Sequence, residues 1–325
     1  MAIPAIVALT DIEWFRHLEA LALRGPIDEV NFWRPRSRKL IRAIHPGEPL
    51  FLRLHAPACA IVGFGFLAAQ HVLTIRMAWQ LFGERNGARD FEEFVKRIVK
   101  YRELPLPDGM GVEFEQRLCV ILRDPVFLPR EEWIPWREGE GWAANSQTYK
   151  KYDLSEGPGR RLHDLLARVH PQPVPEFEPA YRIFEGEARP RVVREVAERQ
   201  GQGAFRLRLL SAYGGRCAIT GEHSEPALDA AHIQPYLGPR SNHVQNGLVL
   251  RADLHRLYDE GYVAVTPDYR FRVSPKLKKA WDNGKIYYDL QESLKTRKIL
   301  LPRAAAERPS PAALEWHVSQ KFIAS

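Results

Sequence analysis

The sequence predicts an α+β protein of two domains, and three observations carry that prediction. The chain has 325 residues, more than the roughly 250–300 at which a single core stops growing. The stretch His170–Pro179 holds four prolines and no glycine, which makes it a stiff, extended connector. Beyond it, Leu228–Asp259 reads as strand, loop, strand and helix. An alternating run, Leu228–Ile233, ends before Pro235; Gly247–Leu250 is apolar; Arg251–Asp259 spaces Leu254, Leu257 and Tyr258 three to four apart. The expected division is a first domain over 1–168, a proline-rich linker over 169–190 and a second domain over 191–325.

In the first domain, Ile12–Leu23 has helical spacing and Glu29–Trp33 is extended. Pro49–Leu54 and Ala60–Phe66 are strands, the second thinned on one face by Gly63 and Gly65. Phe91–Tyr101 is an amphipathic helix with Phe91, Phe94, Val95 and Ile98 on its apolar side. Leu118–Leu122 is a further strand, followed by Val126–Pro129 and Trp133–Trp136. Phe32, Phe64, Phe66 and Phe82 are expected in the core. After the linker, Val192–Gln200 is a helix that Gly201, Gln202 and Gly203 break, and Ala204–Tyr213 is a second helix closed by Gly214 and Gly215. Tyr262–Val265 and Phe271–Val273 form a hairpin. A helix over Pro275–Asp282 carries Lys276, Lys278 and Lys279, and Pro311–Phe322 is the last helix, with His317 expected to be structural.

Composition bounds the function. At 45% hydrophobic and 27% charged residues the chain is of the soluble globular kind. No apolar run approaches the roughly 18–20 residues that span a bilayer, so no membrane partner is expected. The N-terminus lacks a secretory pattern. Three cysteines, Cys59, Cys119 and Cys217, lie far apart, which fits a reducing, cytoplasmic setting. Paired Cys-x-x-Cys motifs are absent, so no structural zinc is expected. Residues 1–180 carry 24 Lys+Arg and 24 Asp+Glu; residues 181–325 carry 23 and 16, which accounts for the whole net charge of +7. A basic second half suits the phosphate backbone of nucleic acid.

That half also holds a set of polar residues with a distinct order: His232 in His-x-x-Pro, Asn246 in Asn-Gly-Leu, and His255 in His-x-x-x-Asp. With Gln202–Arg206 and Arg216–Gly221 flanking it, the region Gln202–Gly261 resembles the HNH endonucleases, whose active unit is a ββα fold around one divalent metal ion. The resemblance implies that His232 is the general base, that Asn246 braces the loop and orients the base, and that His255 is a metal ligand. Asp259 lies one turn from His255 on the same helix face and is a candidate second ligand. The residue before the base, an Asp or His in many members, is Ala231 here. Asp229, two residues earlier on the same strand face, is the candidate replacement. For Asp229 and Asp259 the alternative, an ordinary surface carboxylate, stays open. The implied cofactor is a weakly held hard ion, Mg²⁺ or Mn²⁺, with water and phosphate completing its shell. Arg206, Arg208, Lys276, Lys278 and Lys279 are candidate contacts to the DNA backbone.

The first domain carries Asn31–Pro35, Pro46–Phe51, Ile61–Gly65, Ala78–Gly87 and Ala144–Tyr149. As a set these resemble the EVE domain, a PUA-like β-barrel with flanking helices, over residues 5–165. The resemblance implies a reader of modified cytosine, 5-methylcytosine or 5-hydroxymethylcytosine, in double-stranded DNA. Such a reader must take the base out of the stack and hold it between aromatic walls. Asn31, Trp33, Trp79, Asn145, Ser146 and Tyr149 are the candidate pocket residues, with core packing the standing alternative for both tryptophans. The combined expectation is a modification-dependent restriction endonuclease. One HNH site cuts one strand at a time, so a double-strand break calls for a homodimer or two sequential events. The alternatives are an HNH nickase or sequence-specific nuclease without modification dependence, and a non-catalytic nucleic-acid reader, of RNA as well as DNA.

Overall fold

Six strands in the order β2-β5-β4-β3-β1-β7 run across the first part of the chain, and a seventh, β6, pairs with β4. They are β1 (Pro4–Thr10), β2 (Glu29–Arg34), β3 (Pro49–Leu54), β4 (Ala60–Thr74), β5 (Gln116–Phe127), β6 (Ile134–Pro135) and β7 (Tyr149–Asp153). The computed structural model describes residues 3–34, 37–101, 111–140, 142, 148–170, 181–183, 202–281 and 283–324. These fall into two units, Met1–Glu178 and Pro179–Ser325. The core of the linker and the expected helix Val192–Gln200 lie outside the described residues. Tyr181, within the stretch read as linker, is buried in the second unit, where its N–H donates to Gln245 Oε1 at 2.8 Å and its hydroxyl to Gln234 Oε1 at 2.7 Å.

In the first unit β1 and β3 are parallel and the other neighbours antiparallel. The expected barrel is not closed: among the described residues β2 and β7 end the strand path and each pairs on one side only. The strand expected over Ala60–Phe66 continues to Thr74, and Leu118–Leu122 widens to Gln116–Phe127. Register shifts at Phe64/Phe66 and Leu67/Ala69 let the long β4 bend while it pairs with β5. A Cβ on Gly63 would meet Val126 O at 2.2 Å, and one on Gly65 would meet Leu122 Cβ at 2.9 Å. The two glycines therefore mark the close approach of β5 rather than a weak strand.

Helix α1 (Ile12–Arg24) starts at Asp11, whose side chain accepts from the N–H groups of Glu13 and Trp14, and it buries Trp14, Phe15 and Leu18. α2 (Ile75–Phe82) follows β4 directly, capped by Thr74. α3 (Phe91–Lys100), capped by Asp90, buries Phe94 and Ile98. α4 (Gly159–Val169) adds Leu162 and Leu165 to a core of Phe51, Phe64, Phe66 and Trp136.

The second unit contains α5 (Gln202–Ala212), the antiparallel pair β8 (Leu228–His232) and β9 (Gly247–Arg251), α6 (Ala252–Asp259), and the hairpin β10 (Val263–Val265) and β11 (Phe271–Val273). Then come α7 (Pro275–Trp281), α8 (Lys285–Ser293) and α9 (Pro311–Gln320). Gln202 and Gly203 begin α5, Gly203 is buried, and the expected break after Gln200 falls at residues outside those described. Phe205, Leu209, Leu228, Leu248, Leu250, Leu254 and Tyr258 share one apolar cluster, which fixes α5, β8, β9 and α6 against one another. His317 on α9 is buried, stacks on Tyr258 at 3.7 Å and donates Nε2–H to its carbonyl at 3.1 Å.

Candidate active site

Five residues of β8 pair with five of β9, and the last pair joins His232 to Gly247. This register puts Asn246 one residue outside the ladder, beside the chain that leaves His232. Asn246 is wholly buried. Its Oδ1 accepts the Gln234 N–H at 2.9 Å, and its Nδ2 donates to the carbonyls of Gln234 and Ser241, both at 3.0 Å. One amide thus ties both ends of the loop 234–241, satisfying backbone groups that water does not reach.

His232 stands at the end of β8 between aromatic rings. Phe205 of α5 stacks on it at 4.2 Å and 11°, and Tyr236 meets it edge-on at 6.0 Å. Gly247 permits the stack. A Cβ there would lie 2.7 Å from Phe205 Cζ and 2.5 Å from Leu209 Cδ1. Nε2 lies 2.9 Å from Asn242 Oδ1. With that oxygen accepting, the ring proton sits on Nε2 and the lone pair on Nδ1. The ring keeps partial solvent access, yet protein surrounds most of it, and this burial pushes its pKa down to about 4. The Asn242 bond acts in the opposite direction, and the charge of nearby His255 adds to the depression. The imidazole is therefore neutral at physiological pH.

His255 projects from α6 between two carboxylates. Its Nδ1 is 3.3 Å from Asp229 Oδ2 and its Nε2 is 3.3 Å from Asp259 Oδ2. Burial works to lower its pKa, but the Asp229 hydrogen bond and the charges of Asp259 and Asp229 outweigh it, and the net direction is up. The His255 bond in turn holds the Asp229 carboxyl below its ordinary range against burial. Arg206 of α5 supports this side, with Nη1 3.6 Å from Asp229 Oδ1 and Nη2 donating to Glu225 O at 3.4 Å. Ala231 is wholly buried.

An imidazole with two carboxylates is a donor set suited to a hard divalent ion. Each carboxylate here takes a different ring nitrogen, and among the described residues no group of three His, Cys, Asp or Glu side chains closes on one point. The set fits an ion held by one or two protein ligands and otherwise by water and phosphate.

The other expected contacts divide. Arg206 is committed to Asp229 and Glu225, Arg208 is partly buried on the same helix, and Lys276, Lys278 and Lys279 are exposed on α7. In the first unit, Trp33 and Tyr149 line one cavity of about 240 Å³, together with Trp14 and Phe32. Trp33 is 8% exposed and its Nε1–H donates to Asn86 O at 2.9 Å. It is therefore both cavity wall and core. Asn31 and Trp79 are not brought to this cavity. The Asn31 amide is wholly buried and donates to Asn86 Oδ1 at 2.8 Å and Cys119 Sγ at 3.3 Å. Trp79 packs on Phe91 and Phe94. Asn145 and Ser146 lie outside the described residues. Sequence reasoning missed Phe205 and Asn242, which contact the His232 ring, although Phe205 lies inside the recognised Gln202–Arg206 flank.

The strand–strand–helix unit with His232, Asn246 and His255 is the arrangement that the resemblance to HNH endonucleases implies. Residues 217–266 match the family described as HNH endonuclease. This is an HNH endonuclease domain, which supports nuclease activity and implies a DNA substrate, and HNH nucleases generally use divalent metal ions. The first half of the chain is similar to the crystal structure of ASCH from Zymomonas mobilis, at 15% identity over 50% of this chain and 94% of that chain, with a TM-score of 0.32. A single-residue variant of the same protein aligns at 15% identity over 50% and 95%, with a TM-score of 0.31. The comparison with curated proteins gives no match. Among the described residues no helix is long and apolar enough to cross a membrane.

Proposed function

We propose that the protein is a metal-dependent DNA endonuclease that cleaves double-stranded DNA carrying a modified base, 5-methylcytosine or 5-hydroxymethylcytosine, read by the first unit. The observation that carries the nuclease is the convergence of His232, Asn246 and His255 within the residues that match the HNH family. His232 accepts a proton from water on its bare ring nitrogen as the water attacks phosphorus. Phe205 and Asn242 hold the ring in place, and Asn246 fixes the loop behind it. His255, with one of its neighbouring carboxylates, Asp229 or Asp259, would hold Mg²⁺ or Mn²⁺. When bound, that ion supplies Lewis-acid stabilisation of the charge on the phosphate and the departing oxygen. The exposed lysines of α7 supply contacts to the DNA backbone.

The reader reading is supported by the aromatic cavity of Trp14, Phe32, Trp33 and Tyr149. Stacking contributes on the order of 1–3 kcal/mol per base, enough to offset the few kcal/mol of extrusion. The biological role that follows is restriction of modified DNA. The test is to incubate the protein with matched modified and unmodified plasmids and Mg²⁺ or Mn²⁺, with cleavage read on a gel. Cutting confined to modified plasmid is expected. Equal cutting of both would remove the reader and leave the nuclease. No cutting under any metal would remove the nuclease.

A further inference from the structure

The cavity of the first unit has a polar corner that stacking does not use. Asp11 lines it. Its Oδ1 accepts the N–H groups of Glu13 and Trp14 at 2.8 and 3.1 Å, and its Oδ2 accepts the hydroxyl of Tyr101, which also lines the cavity. A carboxylate oxygen has two acceptor positions. Oδ1 has both filled by these bonds, while the Tyr101 bond occupies one position on Oδ2. Burial works to raise the Asp11 pKa, but the Tyr101 bond, the two backbone N–H groups and the charge of Lys100 prevail, and the net direction is down. An ionised acceptor therefore borders an aromatic cavity at neutral pH. Arg34, whose guanidinium lies 5.4 Å from the centre of the Tyr149 ring, lines the same space as a donor. His55 lines it too, and burial lowers its pKa against the opposing charge of Asp11.

We infer that Asp11 reads the exocyclic amino group of an extruded cytosine-class base, so that the first unit selects 4-amino pyrimidines over 4-oxo ones. The inference rests on the base-reading proposal above. The Watson–Crick edge of cytosine presents one donor, the 4-amino group, beside two acceptors, N3 and O2. It asks the protein for an anionic or carbonyl acceptor next to donors, which Asp11 and Arg34 supply. Thymine is 5-methylcytosine with the amino group replaced by oxygen and a proton on N3. Its O4 would meet the Asp11 anion with no hydrogen between them. A site built around such a bond rejects the mismatched edge because its buried acceptor is then left unpaired, whereas a methyl-sized pocket gives only a graded preference. The amino group thus sets the class of base, and the 5-substituent sets a graded preference within it.

The test uses the full chain in excess chelator, so that binding is read without cleavage. Short duplexes of one sequence carry 5-methylcytosine, cytosine or thymine opposite guanine at a single position. The thymine·guanine mispair is easier to open than a cytosine·guanine pair, so extrusion cost alone favours thymine. Expected is binding of 5-methylcytosine at least about tenfold tighter than thymine, the worth of one hydrogen bond to a charged group. Asp11→Asn should shrink that ratio to about threefold or less. Asparagine caps helices as well as aspartate, so its melting temperature should match that of the unaltered protein. Full discrimination retained by Asp11→Asn would overturn the inference while leaving the base reader intact. Preference for 5-methylcytosine over cytosine with no discrimination against thymine would do the same. Equal binding of all three duplexes would overturn the inference together with the base-reading proposal. The duplex panel on the unaltered protein decides the question even where Asp11→Asn does not fold.

Discussion

His232, Asn246 and His255 are legible in the sequence because their chemistry is their identity: an imidazole and a carboxamide at fixed spacing. Phe205 and Asn242, which hold the His232 ring, are not legible, since any chain has many such residues and only the packing of α5 and the loop selects these two. His232→Ala should abolish cleavage while DNA binding persists, as a gel assay beside a binding assay will show; near-normal cleavage would remove the base. The pH profile tests the environment of the ring. A base works only while unprotonated, so activity falls as pH drops through its pKa. With that value at about 4, the acid limb due to His232 should lie well below the ordinary histidine range. Asn242→Asp places a carboxylate on Nε2, favours the imidazolium, and should move the limb upward by a unit or more, roughly the shift a close opposite charge produces. An unmoved limb in kcat/KM against pH would show that Asn242 does not act on the ring.

At the scale of elements, α1, β3, α3, β8, β9 and β11 follow from periodicity and caps to within one or two residues. β4 runs beyond the expected Ala60–Phe66: its second half, Ala68–Thr74, is mostly half-buried and lacks the continuous apolar run that marks its first half, yet it pairs with β5 as far as Thr74. α2 and α4 were not anticipated: α2 is short and follows a strand without a break, and α4 begins with no capping side chain. The open sheet shows that strand content does not fix closure. Gly247 tests how β9 supports the site. Gly247→Ala drives a methyl into Phe205 and Leu209. It should cost about 1–3 kcal/mol in denaturant unfolding, the usual range for overpacking. It should also lower cleavage rate more than DNA affinity, because Phe205 is displaced from His232. A fully stable and active variant would show that α5 gives way freely. α9 carries a second test. Burial holds His317 at about pKa 4, below its unfolded value, so the unfolded chain binds more protons between the two. This contribution to stability is full above about pH 6.5 and is lost as pH falls toward about 4, by up to about 3 kcal/mol. His317→Gln should flatten part of the fall in unfolding free energy between pH 7 and pH 4.5, with His232, His55 and His17, whose pKa values burial also lowers, contributing to the rest. An identical slope in the variant would exclude His317 as a contributor.

For the whole molecule, the division into two units and the placement of charge lead to one expectation. Residues 1–180 have no net charge and residues 181–325 hold the entire excess of seven positive charges. Each phosphate neutralised on binding releases counterions and steepens the fall of affinity with salt. Recognition and backbone grip should therefore separate. A fragment of residues 1–170 should bind a duplex containing modified cytosine without cutting it, and its affinity should fall less steeply with salt than that of the full protein. Two substitutions in it separate stacking from core packing. Trp33 is nearly buried and hydrogen-bonded to Asn86, so Trp33→Ala should lose stability as well as binding, by about 3–5 kcal/mol in unfolding. Tyr149 lines the same cavity but keeps partial exposure at the start of edge strand β7. Tyr149→Ala should leave the fragment folded and lose roughly five- to a hundred-fold in affinity for the modified duplex, the worth of one stacking contact. Affinity for unmodified DNA should stay the same. Melting curves set beside binding curves at two salt concentrations read all of this. A fragment that binds modified and unmodified duplexes equally would mean that recognition does not reside in the first unit, and a fragment whose salt slope equals that of the full chain would mean that the second unit does not supply the phosphate grip.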